Sequence, residues 1–297
     1  MGDPQGIGPE VIRKALKHPG LSRLGKFVCI GDKMLLKGVP AGIAGIEYKT
    51  PGEGALKSLE RGVDLIKNGA INALVTAPLS KEAVSRYIKG FRGHTEYLAG
   101  VFGVKRFDMM FVSDKIRLSL VTRHVPLKDV PGLITKKAVL DCIELMQETL
   151  RQRFNIRRPR IAVLGLNPHA GEGGLLGRED ISQILPAINK AHDQGIKAEG
   201  PFPADTFFCH DKGFDGIVAM YHDQGLAPIK GMYFKDLVNF TAGLPFVRTS
   251  PVHGTAYDIA GRGIADPSSM IAAIKLACRL TSPLPGLPAP YGAGEGK

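Results

Sequence analysis

RIAVLGLNPHAGEGG, residues 160–174, decides how this chain is read. Its first seven residues form a short apolar run suited to a strand covered on both faces. A polar, glycine-rich stretch, NPHAGEGG, follows without a gap. A buried strand that delivers a polar loop at its C-terminal end is the working unit of an open parallel α/β sheet, whose ligands bind at that edge. The pattern recurs along the chain. Strand-like segments at 26–30, 73–77, 216–221 and 237–241 alternate with helix-like ones, which predicts an α/β fold with a mostly parallel sheet. Polar loops follow: TAPLSK (76–81), RHVPL (123–127), YHDQG (221–225) and RTSPVHGTA (248–256). One antiparallel hairpin is also predicted, with 109–112 and 116–122 flanking Ser113-Asp114-Lys115.

The clearest helix opens at Thr135, an N-cap, and runs through KKAVLDCIELMQETLRQ (136–152). Ala138, Cys142, Met146 and Leu150 make one apolar stripe there. Further helices are predicted at 9–17, 55–67, 81–89 and 180–191. From Ser282 the chain turns Pro/Gly-rich and is expected to be a disordered tail. With 297 residues, about two domains are expected at ~150 residues each. A hydrophobic share of 44% and a charged share of 23% exclude wholesale disorder. No apolar run reaches the ~18 residues that span a bilayer, and no charged-then-apolar leader is read.

Cys29, Cys142, Cys209 and Cys278 form no C-x-x-C pair, which points to a reducing, cytoplasmic setting. The net charge is +11, from 39 Lys and Arg against 28 Asp and Glu. Its placement argues against nucleic acid: the basic residues are scattered, Trp is absent, and only 7% of the chain is aromatic. A positive field that gathers small anionic substrates fits better. Two nucleotide signatures are set aside. GLSRLGKF (20–27) has Phe27 where a P-loop needs Ser or Thr, and GEGGLLG (171–177) lacks the G-x-G-x-x-G spacing.

Histidines 124, 169, 222 and 253 all fall in the polar loops. Imidazoles gathered at one sheet edge suit a divalent metal. Separations of 45 residues (124 to 169) and 53 (169 to 222) supply no local motif, so on pattern alone each histidine reads first as a loop cap held by backbone hydrogen bonds. Asp205 in PADTFF is either a base, a group that orients the metal site, or an N-cap. Lys230, Asn239 and Arg248 suit an anion, although lone basic residues are more often solvated.

Taken in order, GDPQGIGPE (2–10), TAPLSK, GHTEYLA (93–99), RHVPL, GLNPHAGEGG (165–174), GPFPADTFF (200–208), AMYHDQGLAPIK (219–230) and GLPFVRTSPVHGTAYDIAGRG (243–263) run from residue 2 to residue 263. The set resembles the 4-hydroxythreonine-4-phosphate dehydrogenase family of pyridoxal phosphate biosynthesis. That resemblance implies two α/β/α domains of the isocitrate/isopropylmalate dehydrogenase kind, with the active site in the cleft between them. The first would comprise 1–90 and 225–297 and the second 91–224. It further implies a homodimer whose metal (zinc, cobalt or magnesium) lies at the subunit interface, held by His124, His169 and His222. His253 is not among the family's ligands. Substrate contacts carry over to His94, Thr95, Lys230, Asn239 and Arg248, with Asp205 and Lys230 as catalytic candidates.

The implied reaction is oxidation of 4-phosphooxy-L-threonine at C3 by NAD or NADP, then decarboxylation to 3-amino-2-oxopropyl phosphate. Relatives acting on 4-phospho-D-threonate, 4-phospho-D-erythronate or a cis-dihydrodiol are the alternative, and a non-redox, metal-dependent anion-binding protein is a third. Relatives also carry a β-strand ahead of GDPxGIGPE, so a short apolar strand is expected before Met1.

Overall fold

The computed structural model describes residues 1–209 and 213–281; the expected tail from Ser282 lies outside the described residues. In chain order the elements are α1 (Gly8–Leu16), β1 (Val28–Gly31), β2 (Gly42–Gly45), α2 (Pro51–Lys67), β3 (Ala73–Val75), α3 (Lys81–Ser85), α4 (His94–Val101), β4 (Asp108–Val112), β5 (Arg117–Leu120), α5 (Val130–Leu133) and α6 (Lys136–Gln152). They continue as β6 (Arg160–Leu164), α7 (Leu185–Asp193), β7 (Lys197–Phe202), α8 (Ala204–Phe207), β8 (Gly216–Ala219), α9 (His222–Tyr233), β9 (Val238–Ala242), β10 (Val247–Pro251) and α10 (Ser268–Thr281). Pro168–Gly174 is a series of tight turns with left-handed backbone from His169 to Gly173, and a π-helical turn, Asp180–Ile184, runs into α7.

The chain divides into two units, residues 1–105 with those from 235 onward, and residues 106–234. Both boundaries differ from the expected 90/91 and 224/225. Leu98 of α4 packs with Leu59, Val63, Leu74, Leu244 and Phe246, which keeps α4 in the first unit. Helix α9 packs on β5 and β8 and so belongs to the second. His94 and Thr95 therefore lie in the first unit and Lys230 in the second, the reverse of the expected assignment.

In the second unit the strands run in the order β4-β5-β8-β6-β7, with β5, β8, β6 and β7 parallel and the β4–β5 hairpin antiparallel. Ile161, Ala162, Val163 and Leu164 of β6 are fully buried, as their unbroken apolar run requires. Helices cover both faces. A side chain at Gly216 would meet Met146 and Leu150 of α6, whereas Ala219, three residues on and of opposite parity, faces Gly225 of α9. Helix α6 follows its sequence prediction: the Thr135 hydroxyl accepts from Ala138 N at 3.2 Å and caps it.

In the first unit β10 lies between β3, to which it is parallel, and β9, to which it is antiparallel. Strands β1 and β2 form a separate parallel pair. The GDPQGIGPE motif is pinned to the 255–265 stretch. The Asp3 carboxylate accepts from the Tyr257 hydroxyl at 2.7 Å, and that of Glu10 from Ala265 N at 2.8 Å and Gly263 N at 3.2 Å. Burial would raise the Glu10 pKa, but Lys14 and these N–H groups hold it below its ordinary value. The acidic residues of this motif are structural.

A cavity of about 630 Å³ lies inside this unit, lined by Ile12, Leu16, Ile30, Leu74, Ile274 and Ala277. It touches residues of both β1 and β3. Met1 reaches it from the strand ends: its α-amine donates to Ile30 O at 2.8 Å, and Asp3 N donates to Pro78 O at 2.9 Å. A strand ending at Met1 would run through this space. Burial lowers the α-amine pKa from 8.0 to about 6. Adding about ten apolar, β-forming residues ahead of Met1 is expected to raise Tm by several degrees, since two or three buried side chains contribute ~1.5–3 kcal/mol each. Without the extension, the folded amine sheds its proton while the unfolded one keeps it, so stability should rise from pH 6 to pH 8. The extension, by making the amine an amide, should abolish that rise. Identical melts with and without it at both pH values would refute the expectation.

Candidate active site

The most unusual electrostatic feature of the first unit is Arg248 on β10, only 2% exposed. Its Nη2 donates to Thr76 Oγ1 at 2.6 Å and its Nε to the same atom at 3.2 Å. Nη1 donates to Thr241 Oγ1 at 3.1 Å and Thr95 Oγ1 at 3.5 Å. These partners come from the loop after β3, from β9 and from the first turn of α4, and all are neutral. Burial lowers the guanidinium pKa to about 10, with Glu96 the opposing influence. A buried cation whose side-chain hydrogen bonds among the described residues all go to hydroxyls is an electrostatic host for an anion.

His94, half-buried at the start of α4, is held well below the usual imidazole range by burial and then by the Arg248 charge. It is neutral at pH 7. Asn239 on β9 sits opposite Ser250 on β10 and carries a buried Oδ1 with no hydrogen-bond partner among the described residues. His94, Thr95 and Arg248 are thus brought together by tertiary packing, with Asn239 on the neighbouring strand.

The second unit carries the histidine loops. Strands β5, β8 and β6 lie side by side and point the same way, so the loops bearing His124, His222 and His169 leave one edge. The rings of His124 and His222 stand 5.5 Å apart between centroids. His222 Nδ1 pairs with Asp223 Oδ1 at 2.6 Å. With the proton on Nδ1, Nε2 keeps the lone pair a cation needs. That pair of imidazoles fits a divalent metal. His169 does not complete the set inside one chain, because among the described residues no three His, Cys, Asp or Glu side chains lie close enough to hold an ion. It stands exposed in a run of left-handed backbone, φ 53° at His169 and at Ala170, continuing to Gly173.

The remaining candidates are dispersed. Lys230 is half-buried on α9; eight helical residues carry it ~12 Å along the axis from His222. Asp205 is exposed within α8, where Pro203 holds the N-cap position, so its expected capping role is not realised. His253 belongs to the first unit, with Nδ1 3.0 Å from Gly254 O.

The family model of the pyridoxal phosphate biosynthetic protein PdxA matches residues 28–277. This chain belongs to the PdxA family. A 4-hydroxythreonine-4-phosphate dehydrogenase of Desulforapulum autotrophicum is 42% identical to it, over 93% of this chain and 93% of the relative. Among solved structures, the Klebsiella pneumoniae 4-hydroxythreonine-4-phosphate dehydrogenase superposes with TM-score 0.79 at 36% identity, covering 94% of this chain and 96% of that one. A terephthalate 1,2-cis-dihydrodiol dehydrogenase of Burkholderia xenovorans gives TM-score 0.64 at 26% identity, over 94% and 96% of the two chains. With isocitrate dehydrogenase of Methylococcus capsulatus the PdxA family member shares the fold alone, at TM-score 0.51 and 17% identity over 92% of this chain and 81% of that one. The expected fold class stands.

Two supports of the histidine loops escaped the sequence reading. Arg123 pairs with the buried Asp108 at 2.9 Å, donates to Phe107 O at 3.3 Å and stacks over the Phe107 ring. Asp180 accepts from Leu166 N at 2.8 Å, Asn167 N at 3.1 Å and Asn167 Nδ2 at 2.9 Å, which fixes the base of the His169 loop. An isolated Asp in a polar stretch carries no signal for either role. Burial raises the Asp108 pKa although Arg123 opposes the shift. Arg123→Ala should therefore cost about 3–5 kcal/mol at pH 7, because it strands a buried carboxylate. The loss should shrink as the pH falls, because protonation removes the charge; melts over a series of pH values below 7 would check it.

Proposed function

We propose that this PdxA family member oxidises 4-phosphooxy-L-threonine at C3 with NAD or NADP, the product decarboxylating to 3-amino-2-oxopropyl phosphate. The observation that carries the reading is the buried Arg248 guanidinium, ringed by Thr76, Thr95 and Thr241, in a chain that matches relatives of this activity over nearly its whole length. The guanidinium and the Thr95 hydroxyl bind the phosphate, and neutral His94 adds a hydrogen bond without adding charge. Asn239 contributes the buried Oδ1 as an acceptor for a substrate hydroxyl or ammonium. Lys230 grips an anionic end of the substrate, being two helical turns from His222. Asp205 is held as the candidate base.

His124, His169 and His222 would hold the divalent metal (zinc, cobalt or magnesium), with a second copy of the chain completing the set in a homodimer. When bound, the metal would supply Lewis-acid polarisation at the C3 hydroxyl and the nicotinamide would supply the hydride acceptor. The setting is cytoplasmic, in keeping with free thiols at Cys29 and Cys142 and with the absence, among the described residues, of a helix long and apolar enough to cross a membrane.

The cis-dihydrodiol relative keeps a second reading in view, at lower identity. Absorbance at 340 nm with both nicotinamides and a panel of 4-phosphooxy-L-threonine, 4-phospho-D-threonate, 4-phospho-D-erythronate and a cis-dihydrodiol separates the readings. Turnover of the first alone supports the proposal, and turnover of the diol alone overturns it. In the same assay Arg248→Ala should raise KM for the phosphorylated substrate by about 2–4 kcal/mol and leave nicotinamide affinity unchanged. Chelation, or His169→Ala with its circular dichroism unaltered, should abolish turnover. Full activity in either case would refute the metal assignment.

A further inference from the structure

The β6–β8 ladder is regular as far as Val163↔Val218. Two residues further, the register would place Gly165 opposite Met220. There the side-chain amide of Gln224 stands between the two strand ends: its Oε1 accepts from Met220 N at 2.7 Å and its Nε2 donates to Gly165 O at 2.6 Å. The partners fix the orientation, since a backbone N–H only donates and a carbonyl only accepts. One amide thus replaces a rung of the parallel ladder.

The brace extends to both sides. Thr122 N and Thr122 Oγ1 donate to Met220 O at 3.0 and 2.7 Å, tying the strand end before His124 to the strand end before His222. Gly165 begins the stretch whose next two residues, Leu166 and Asn167, are held by Asp180. Gln224 is therefore the link between the loop of His222 and the loop of His169. It is drawn from the same α9 turn as His222 itself, so the histidine and its spacer move as one piece.

We propose that Gln224 is a positioning residue for divalent-metal binding, setting the separation of the His222 and His169 loops; this rests on the reading of those histidines as metal ligands. Gln224→Glu keeps the acceptor toward Met220 N but loses the donor toward Gly165 O. Gln224→Leu loses both. Neither change touches an imidazole.

The test uses the full chain stripped of metal and titrated with cobalt(II), followed by the visible absorption of the bound ion, alongside thermal melts. Wild type should bind, His222→Ala should not, and both Gln224 variants should bind 10–100-fold more weakly with an altered cobalt spectrum, the usual loss when a support of a metal ligand is removed. Ser58→Ala, which removes a buried hydroxyl bonded to Gly54 O in the first unit, controls for general destabilisation and should leave cobalt affinity unchanged. Gln224→Glu keeps the test informative should Gln224→Leu fail to fold. Wild-type affinity and spectrum in the Gln224 variants, with binding lost in His222→Ala, would overturn the positioning role alone. Failure of wild type to bind, or full binding by His222→Ala, would overturn the metal reading and this proposal with it.

Discussion

The parallel pairing of β5, β8 and β6 is the constraint on which the histidine loops depend. Parallel strands send all their C-terminal ends to one edge, and a crossover must intervene between successive strands. That geometry sends the loops of three histidines separated by 45 and 53 residues to one rim, where His124 and His222 stand side by side. It also explains why the loops need extra support. Beyond the last ladder pair the backbone has no regular partner, and side chains take over: the Gln224 amide, the Thr122 hydroxyl and the Asp180 carboxylate each satisfy main-chain groups where the sheet stops. The left-handed run through His169 is held at its base by this polar frame.

The first unit solves a different electrostatic problem. A guanidinium buried among hydroxyls costs solvation that the nearby Glu96 charge offsets only in part. The depressed pKa of Arg248 records that cost. Such an arrangement is stable enough to persist because β3, β9, β10 and α4 are fixed by their own cores, which leaves the cation available to an anionic ligand. Burial, and after it the same charge, holds the His94 pKa down, so one buried residue sets the attraction for an anion and reinforces the neutral state of its neighbour.

Much of this was legible in the sequence where one residue's environment follows from its near neighbours. The apolar run of β6 and the Thr135-capped stripe of α6 are local patterns, and they fold as read. Strand β10 was missed because VRTSP reads as polar; the side chains of its Arg248 and Thr249 are buried with acceptors supplied by the loop after β3, by β9, by α4 and by α10. Helix α2 starts four residues earlier than read, since Gly52 and Gly54 weaken the helical signal. In the fold they sit where a side chain would strike Ala83 and Tyr48.

The sequence by itself determined the fold class, the family-matching motifs and the identity of the loop histidines, because strand periodicity and motif order are properties of consecutive residues. Only the tertiary structure decided that Arg248 is encircled by three threonines, two of them 172 and 153 residues away. It alone moved α4 and α9 across the domain boundaries, paired Asp108 with Arg123, and set the Gln224 amide between two strand ends. The physical reason is common to all four. A charged or polar group acquires its role from which distant groups desolvate it and satisfy its hydrogen bonds, and those partners are chosen by strand register and helix packing rather than by neighbours along the chain.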